Sequence, residues 1–208
     1  VNTMIGFING VVVGTADMTG KTIQATTSTL TIGRDNETGP GGRFLNGFVT
    51  NVRVIKGAAA YTKRFTPPQT VLQPVTNTSL LLQVANSTAY ITDSSTNAFT
   101  VTNNGTATYN QFAPLVTPFN RLDSSGSYYI DGVYDEVTLP TGSLSFNGSN
   151  QYLSLSGSSA FSIPTNTTPF TVEFWANFTS TNQNYIFSET YTGAGNPVNF
   201  YIGMGDGS

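Results

Sequence analysis

The sequence contains no cysteine and no histidine. That excludes disulfides, thiol chemistry, zinc sites built on Cys or His, and every catalytic triad that needs an imidazole. It does not fix a compartment, because many large secreted and virion β-proteins also lack Cys. Charge is scarce: 9% of residues are Asp, Glu, Lys or Arg, against about 25% in ordinary globular chains. Long surface helices rich in Ala, Glu, Lys and Leu are thereby excluded. No apolar run approaches the roughly 20 residues of a membrane span, and no signal peptide is visible. The first residue is Val1 rather than Met, so the chain is expected to be processed or a piece of something longer. Ser, Thr and Asn take the place of charge, with 21 Gly and 12% aromatic residues. Disordered chains run the other way, with high net charge and few aromatics. The 208 residues are therefore expected to fold, as an all-β protein whose exposed positions are uncharged and hydroxylated.

The net charge of −3 is unevenly placed. Residues 1–64 carry Lys21, Arg34, Arg43, Arg53, Lys56, Lys63 and Arg64 against Asp17, Asp35 and Glu37, a balance of +4. Residues 65–208 carry Arg121 against eight acids, a balance of −7. A basic region this dilute, without interleaved aromatics, is a poor footprint for nucleic acid. The asymmetry suits attraction between two halves or two neighbouring copies.

Residues 3–13 read as two short strands around Asn9-Gly10, a dipeptide that accepts the positive φ values of a type I′ turn. Another strand is expected at 28–33, with Leu30 and Ile32 on one face. The loop from Gly33 to Gly42 is strongly turn-forming. Residues 44–56 predict a longer strand, with Phe48, Thr50, Val52 and Val54 facing one way and Asn51 and Arg53 the other. Gly57 to Tyr61 is the one helix-like stretch, cut off by Pro67 and Pro68. Short strands are expected at 80–84, 89–92 and 99–102, and residues 103–127 read as a connector. A weak repeat relates 126–140 to 142–156; each copy is Gly-Ser, an alternating strand, a turn at Asp131-Gly132 or Asn147-Gly148, and a second strand, the pattern of a duplicated edge hairpin. Residues 170–178, FTVEFWANF, alternate most clearly. Phe170, Val172, Phe174, Ala176 and Phe178 form one apolar face, and Thr171, Glu173, Trp175 and Asn177 the other. The pattern continues at 184–188 and 198–204. Many antiparallel strands joined by Asn-Gly turns predict an antiparallel β-sandwich.

These segments resemble the laminin-G-like, or concanavalin-A-like, jelly-roll modules, with the two parts of the signature in reversed order. GSLSFNGSNQYLSLS followed by TPFTVEFWANF, within 142–178, resembles the opening of such a module. MIGFINGVVVGT, LTIGR and LNGFVTNVRVIKGAAAY with FTPP, within 4–68, resemble its close. The resemblance implies a jelly-roll β-sandwich, with one half-domain followed by the start of another. Residues 1–116 then read as the second half of a sandwich plus trailing strands, 117–141 as a connector with an extra hairpin, and 142–208 as the first half of the next. The chain is a window on a longer multi-module protein, or its two halves complete a sandwich, within the chain or between successive copies. The modules it resembles occur in large bacteriophage virion proteins, such as tail fibres and appendages, and in bacterial surface adhesins. That fold carries lectins, adhesion modules and glucanases alike.

No enzyme is expected. Glycoside hydrolysis needs two carboxylates facing one bond; Glu173 sits alone on its strand, and the adjacent Asp135 and Glu136 point to opposite faces of any strand they form. The candidate ligand-binding residues are Trp175, Glu173 and Asn177, where a ring beside amide and carboxylate groups could cradle a sugar. The alternative is that the face is covered and Trp175 belongs to a core or interface. Asp35, Asn36 and Glu37 offer the hard oxygens that calcium prefers, but such a loop is also a plain turn, and no metal or other cofactor is assigned. Seven Asn-x-Ser/Thr triplets arise by composition. The expected role is a non-catalytic structural or adhesion module of an extracellular or virion fibre, binding cell-surface glycans. The alternative is a repeat subunit of a bacterial extracellular filament, assembled by strand pairing between copies and without ligand. Expected partners are copies of the chain or neighbouring modules, and glycans, with neither nucleic acid nor membrane.

Overall fold

A computed structural model of the chain describes residues 2–21, 28–35, 43–68, 70–111, 121–122, 128–129, 142–161, 168–180, 184–189 and 200–204. Strands are the only regular elements among the described residues, and none of these residues belongs to a helix that could cross a membrane. In chain order the strands are β1 (Thr3–Ile8), β2 (Val11–Asp17), β3 (Leu30–Ile32), β4 (Asn46–Lys56), β5 (Thr78–Leu82), β6 (Val101–Asn104), β7 (Thr108–Asn110), β8 (Arg121–Leu122), β9 (Tyr128–Tyr129), β10 (Ser143–Asn147), β11 (Tyr152–Leu155), β12 (Phe170–Phe178), β13 (Asn184–Glu189) and β14 (Phe200–Met204).

Two five-stranded antiparallel sheets make the body. One runs β12-β4-β10-β7, with β5 also paired to β4; the other runs β14-β13-β3-β11-β6. Leu30, Ile32, Leu153, Leu155 and Phe187 from the second sheet meet Val49, Val52, Val54, Leu80, Leu82, Leu144 and Phe146 from the first in one buried cluster. The fold is an antiparallel β-sandwich with one core. Both sheets interleave strands from either side of residues 112–141. β4 pairs with β10 and β12, and β3 pairs with β11 and β13.

Five local expectations change. In β4 the inward residues are Val49, Val52 and Val54 rather than an alternation starting at Phe48. Asn51 adopts φ +53° and adds one residue opposite β12, where Trp175 faces Thr50 but Glu173 faces Arg53. A β-bulge of this kind reverses the alternation beyond it. The segment 142–156 is no hairpin: β10 joins one sheet and β11 the other, so the turn at Asn147-Gly148 carries the chain between layers. The turn at Gly105-Thr106, both at positive φ, does the same for β6 and β7. β7 therefore lies inside the segment read as a connector. Residues 89–92 form turns, tied down by the buried Asp93 carboxylate, which accepts bonds from the amides of Leu81, Ser95 and Phe99 and from the Ser95 hydroxyl. Residues 57–61 form no helix. Of the 126–140 copy, only Tyr128–Tyr129 lies within the described residues, paired with Arg121–Leu122.

β1 and β2 pair only with each other among the described residues. They form a ribbon whose turn has the expected positive φ at Asn9 and Gly10.

Candidate functional site

β12 has one neighbour, β4, among the described residues. Its inner face packs Val172, Phe174, Ala176 and Phe178 against the core. Period-2 geometry therefore puts Glu173, Trp175 and Asn177 together on the outer face, as expected. Trp175 is half-buried and Asn177 exposed. The Glu173 carboxylate is already engaged: Oε1 accepts Arg53 Nε at 2.6 Å and faces Nη2 at 2.5 Å, while Oε2 accepts the Tyr61 hydroxyl at 3.1 Å. Arg53 also donates Nη1 to the Gln73 carbonyl at 2.7 Å. Burial, then the charge and hydrogen bond of Glu173, push the Tyr61 hydroxyl above the usual phenol range. Glu173 thus anchors its surroundings, which leaves Trp175 and Asn177 as the candidates of the trio. Nothing in the sequence marks Arg53 or Tyr61 as partners of Glu173, since 120 and 112 positions separate them.

The anchor holds a strap, residues 57–68 and 70–75, across the outer face of β4 and β12. Gly57 donates to the Pro169 carbonyl at 2.7 Å, and Ala60 to Thr171 Oγ1 at 2.9 Å. The bulged Asn51 donates Nδ2 to the Thr70 carbonyl and accepts the Leu72 amide. The ribbon docks on this strap. Phe65 donates its amide to the Gly10 carbonyl at 3.0 Å, stacks on Tyr61 at 3.6 Å between centroids, and meets Phe7 edge-on at 5.3 Å. Only glycine fits at position 10, where φ is +74° and an added Cβ would lie 2.0 Å from the Phe65 carbonyl oxygen.

The calcium expectation falls partly outside the described residues, which include Asp35 but not Asn36 or Glu37. Asp35 is buried and closes the loop base: Oδ2 pairs with Arg43 Nε at 2.5 Å and Oδ1 accepts the Arg43 amide at 3.1 Å. Its oxygens serve that clasp, and among the described residues no three carboxylates gather.

The other sheet carries a second outward surface. Thr102, Ser154, Thr31, Ser188 and Tyr201 lie directly opposite one another across β6, β11, β3, β13 and β14. They alternate with the core residues Leu30, Ile32, Leu153 and Leu155 and so leave the sheet on its other face, where Thr31 and Ser188 are buried as well and only Thr102, Ser154 and Tyr201 reach solvent. Beside it, Asn104 faces Tyr152 and donates Nδ2 to Ser154 Oγ at 2.9 Å. The Arg34 guanidinium lies 4.6 Å from the Tyr152 ring centroid and 5.4 Å from that of Phe44. Sequence reasoning missed this cluster, because Tyr152 is brought to Arg34 by the pairing of β3 with β11 and Phe44 by a separate bridge to Arg34. Comparison of the chain with protein-family models, with curated proteins and with solved structures finds no match.

Proposed function

We propose that this chain is a non-catalytic β-sandwich module of an extracellular or virion fibre, with a structural role and adhesion to cell-surface glycans. The observation that carries the reading is the division of labour among side chains. Of the described carboxylates, Asp35, Asp93 and Glu173 are bound to structural partners, while Trp175, Asn177, Thr102, Ser154 and Tyr201 reach the surface. A surface of this chemistry stacks on sugar rings and bonds sugar hydroxyls. It also leaves no free pair of carboxylates, among these three, for acid–base work. The resemblance to laminin-G-like modules of phage fibres and bacterial adhesins supports the same reading.

The test is retention of the protein on immobilised bacterial surface polysaccharides. The wild type is expected to be retarded. Trp175→Ala, still folded by circular dichroism, is expected to bind about tenfold more weakly, the worth of one stacked ring. Unchanged retention of that variant removes Trp175 from the assignment. Passage of the wild type through every glycan column overturns the adhesive role.

A second reading, a filament subunit assembled by strand pairing between copies, is favoured by the ribbon. Ile8 and Val13 are 63% and 60% exposed there, and Val11 and Val12 are exposed as well. Both outer edges of the ribbon are unpaired among the described residues, and such edges template pairing with another chain.

A further inference from the structure

The charge balance at the Arg34 end of the hydroxyl row identifies the kind of sugar that fits there. Arg34 is half-buried, and its Nε is spent on the Asp35 carbonyl at 2.7 Å. The neighbouring Arg43 has its own carboxylate in Asp35 and lies 4.4 Å from the Tyr185 centroid. Among the described residues no carboxylate pairs with Arg34. Among the described residues, then, Arg34 holds its charge against two rings without an acidic partner. Removing a guanidinium from water is unfavourable unless an anion compensates it. Phe44 and Tyr152 orient the plane of the group without neutralising it. The terminal Nη1 and Nη2 present a flat, two-pronged donor, which matches a planar carboxylate in bidentate fashion.

We infer that Arg34, set over the adjoining rings of Phe44 and Tyr152, is the subsite for the carboxylate of an acidic sugar, a uronic-acid residue of a surface polysaccharide. The carboxylate takes the two terminal nitrogens, and the ring rests on the exposed part of the aromatic pair. Neighbouring sugars run along the side chains of Asn104 and Ser154. This rests on the glycan-binding reading above and names the class of glycan. Net attraction cannot produce it, because the whole chain carries −3 and repels polyanions at neutral pH; a local cation must.

The experiment measures binding of the full chain at pH 7 to polygalacturonate, dextran sulfate and uncharged dextran, with Arg34→Gln, Arg34→Lys and Tyr152→Ala alongside. Thermal melts establish that each variant is folded. The expected result is polygalacturonate binding that falls about tenfold or more in Arg34→Gln, is partly kept in Arg34→Lys, which preserves charge without the fork, and drops in Tyr152→Ala. Equal binding by wild type and folded Arg34→Gln overturns the subsite while leaving a glycan-binding module. Dextran bound as tightly as polygalacturonate does the same. A preference for dextran sulfate over polygalacturonate overturns the carboxylate assignment. Binding to none of the three overturns the subsite, and passage through the surface-polysaccharide columns as well overturns the function it rests on.

Discussion

Arg53 and Glu173 sit opposite each other on β4 and β12, with side chains only 7% and 15% exposed. A pair this sheltered contributes little against a well-packed apolar replacement, but losing one member leaves the other charge buried and uncompensated. Glu173→Gln is therefore expected to cost about 3 kcal/mol of unfolding free energy. The double change Arg53→Met with Glu173→Leu is expected to cost less than Glu173→Gln alone. Urea unfolding of the three proteins checks this, and an unchanged midpoint for Glu173→Gln would show that the anchor holds nothing. The sequence places Glu173 on the correct face of the correct strand, because alternation over nine residues is a local property. It also makes Glu173 look solitary. Arg53 is brought to it by strand pairing and Tyr61 by the strap, and neither is encoded within reach of Glu173 along the chain.

The ribbon and β12 raise the same question at the scale of elements: what covers an edge. β12 offers nine residues with no proline, no lysine and one already neutralised charge, so it carries none of the usual protections against pairing. The ribbon offers valine and isoleucine to solvent and is held to the body through the strap. If copies assemble through it, sedimentation velocity at rising concentration shows the wild type associating and Ile8→Lys with Val13→Lys remaining monomeric. Both proteins should melt at the same temperature, since neither side chain belongs to the core. A wild type that stays monomeric at the highest concentration reached would rule out the ribbon as an assembly surface. The Asn-Gly turn that builds the ribbon is legible in the sequence. The fate of the turn at Asn147-Gly148 is not. A tight turn reverses the chain in the same way whether the strands it joins pair with each other or part to different sheets.

For the whole molecule, the consequential feature is interleaving. β4 lies between β12 on one edge and β10 and β5 on the other, and β3 lies between β11 and β13. Neither 1–116 nor 142–208 can bury its share of the core without the other. Each fragment made alone is therefore expected to lack a cooperative thermal transition and the β-sheet circular dichroism of the full chain, and a mixture of the two to recover both. A fragment that folded independently would contradict the shared core. Composition and period-2 alternation determined that the chain is all-β, where its main strands lie, and which face of β12 turns inward, because burial on one side of an extended strand is a local pattern. Tertiary structure alone decided that β10 and β11 belong to different sheets, that Asn51 bulges to bring Arg53 opposite Glu173, and that Arg34 lies over two adjoining rings. Those outcomes depend on register between segments up to 157 residues apart, and register is set by which strands share one core rather than by any stretch of chain read alone.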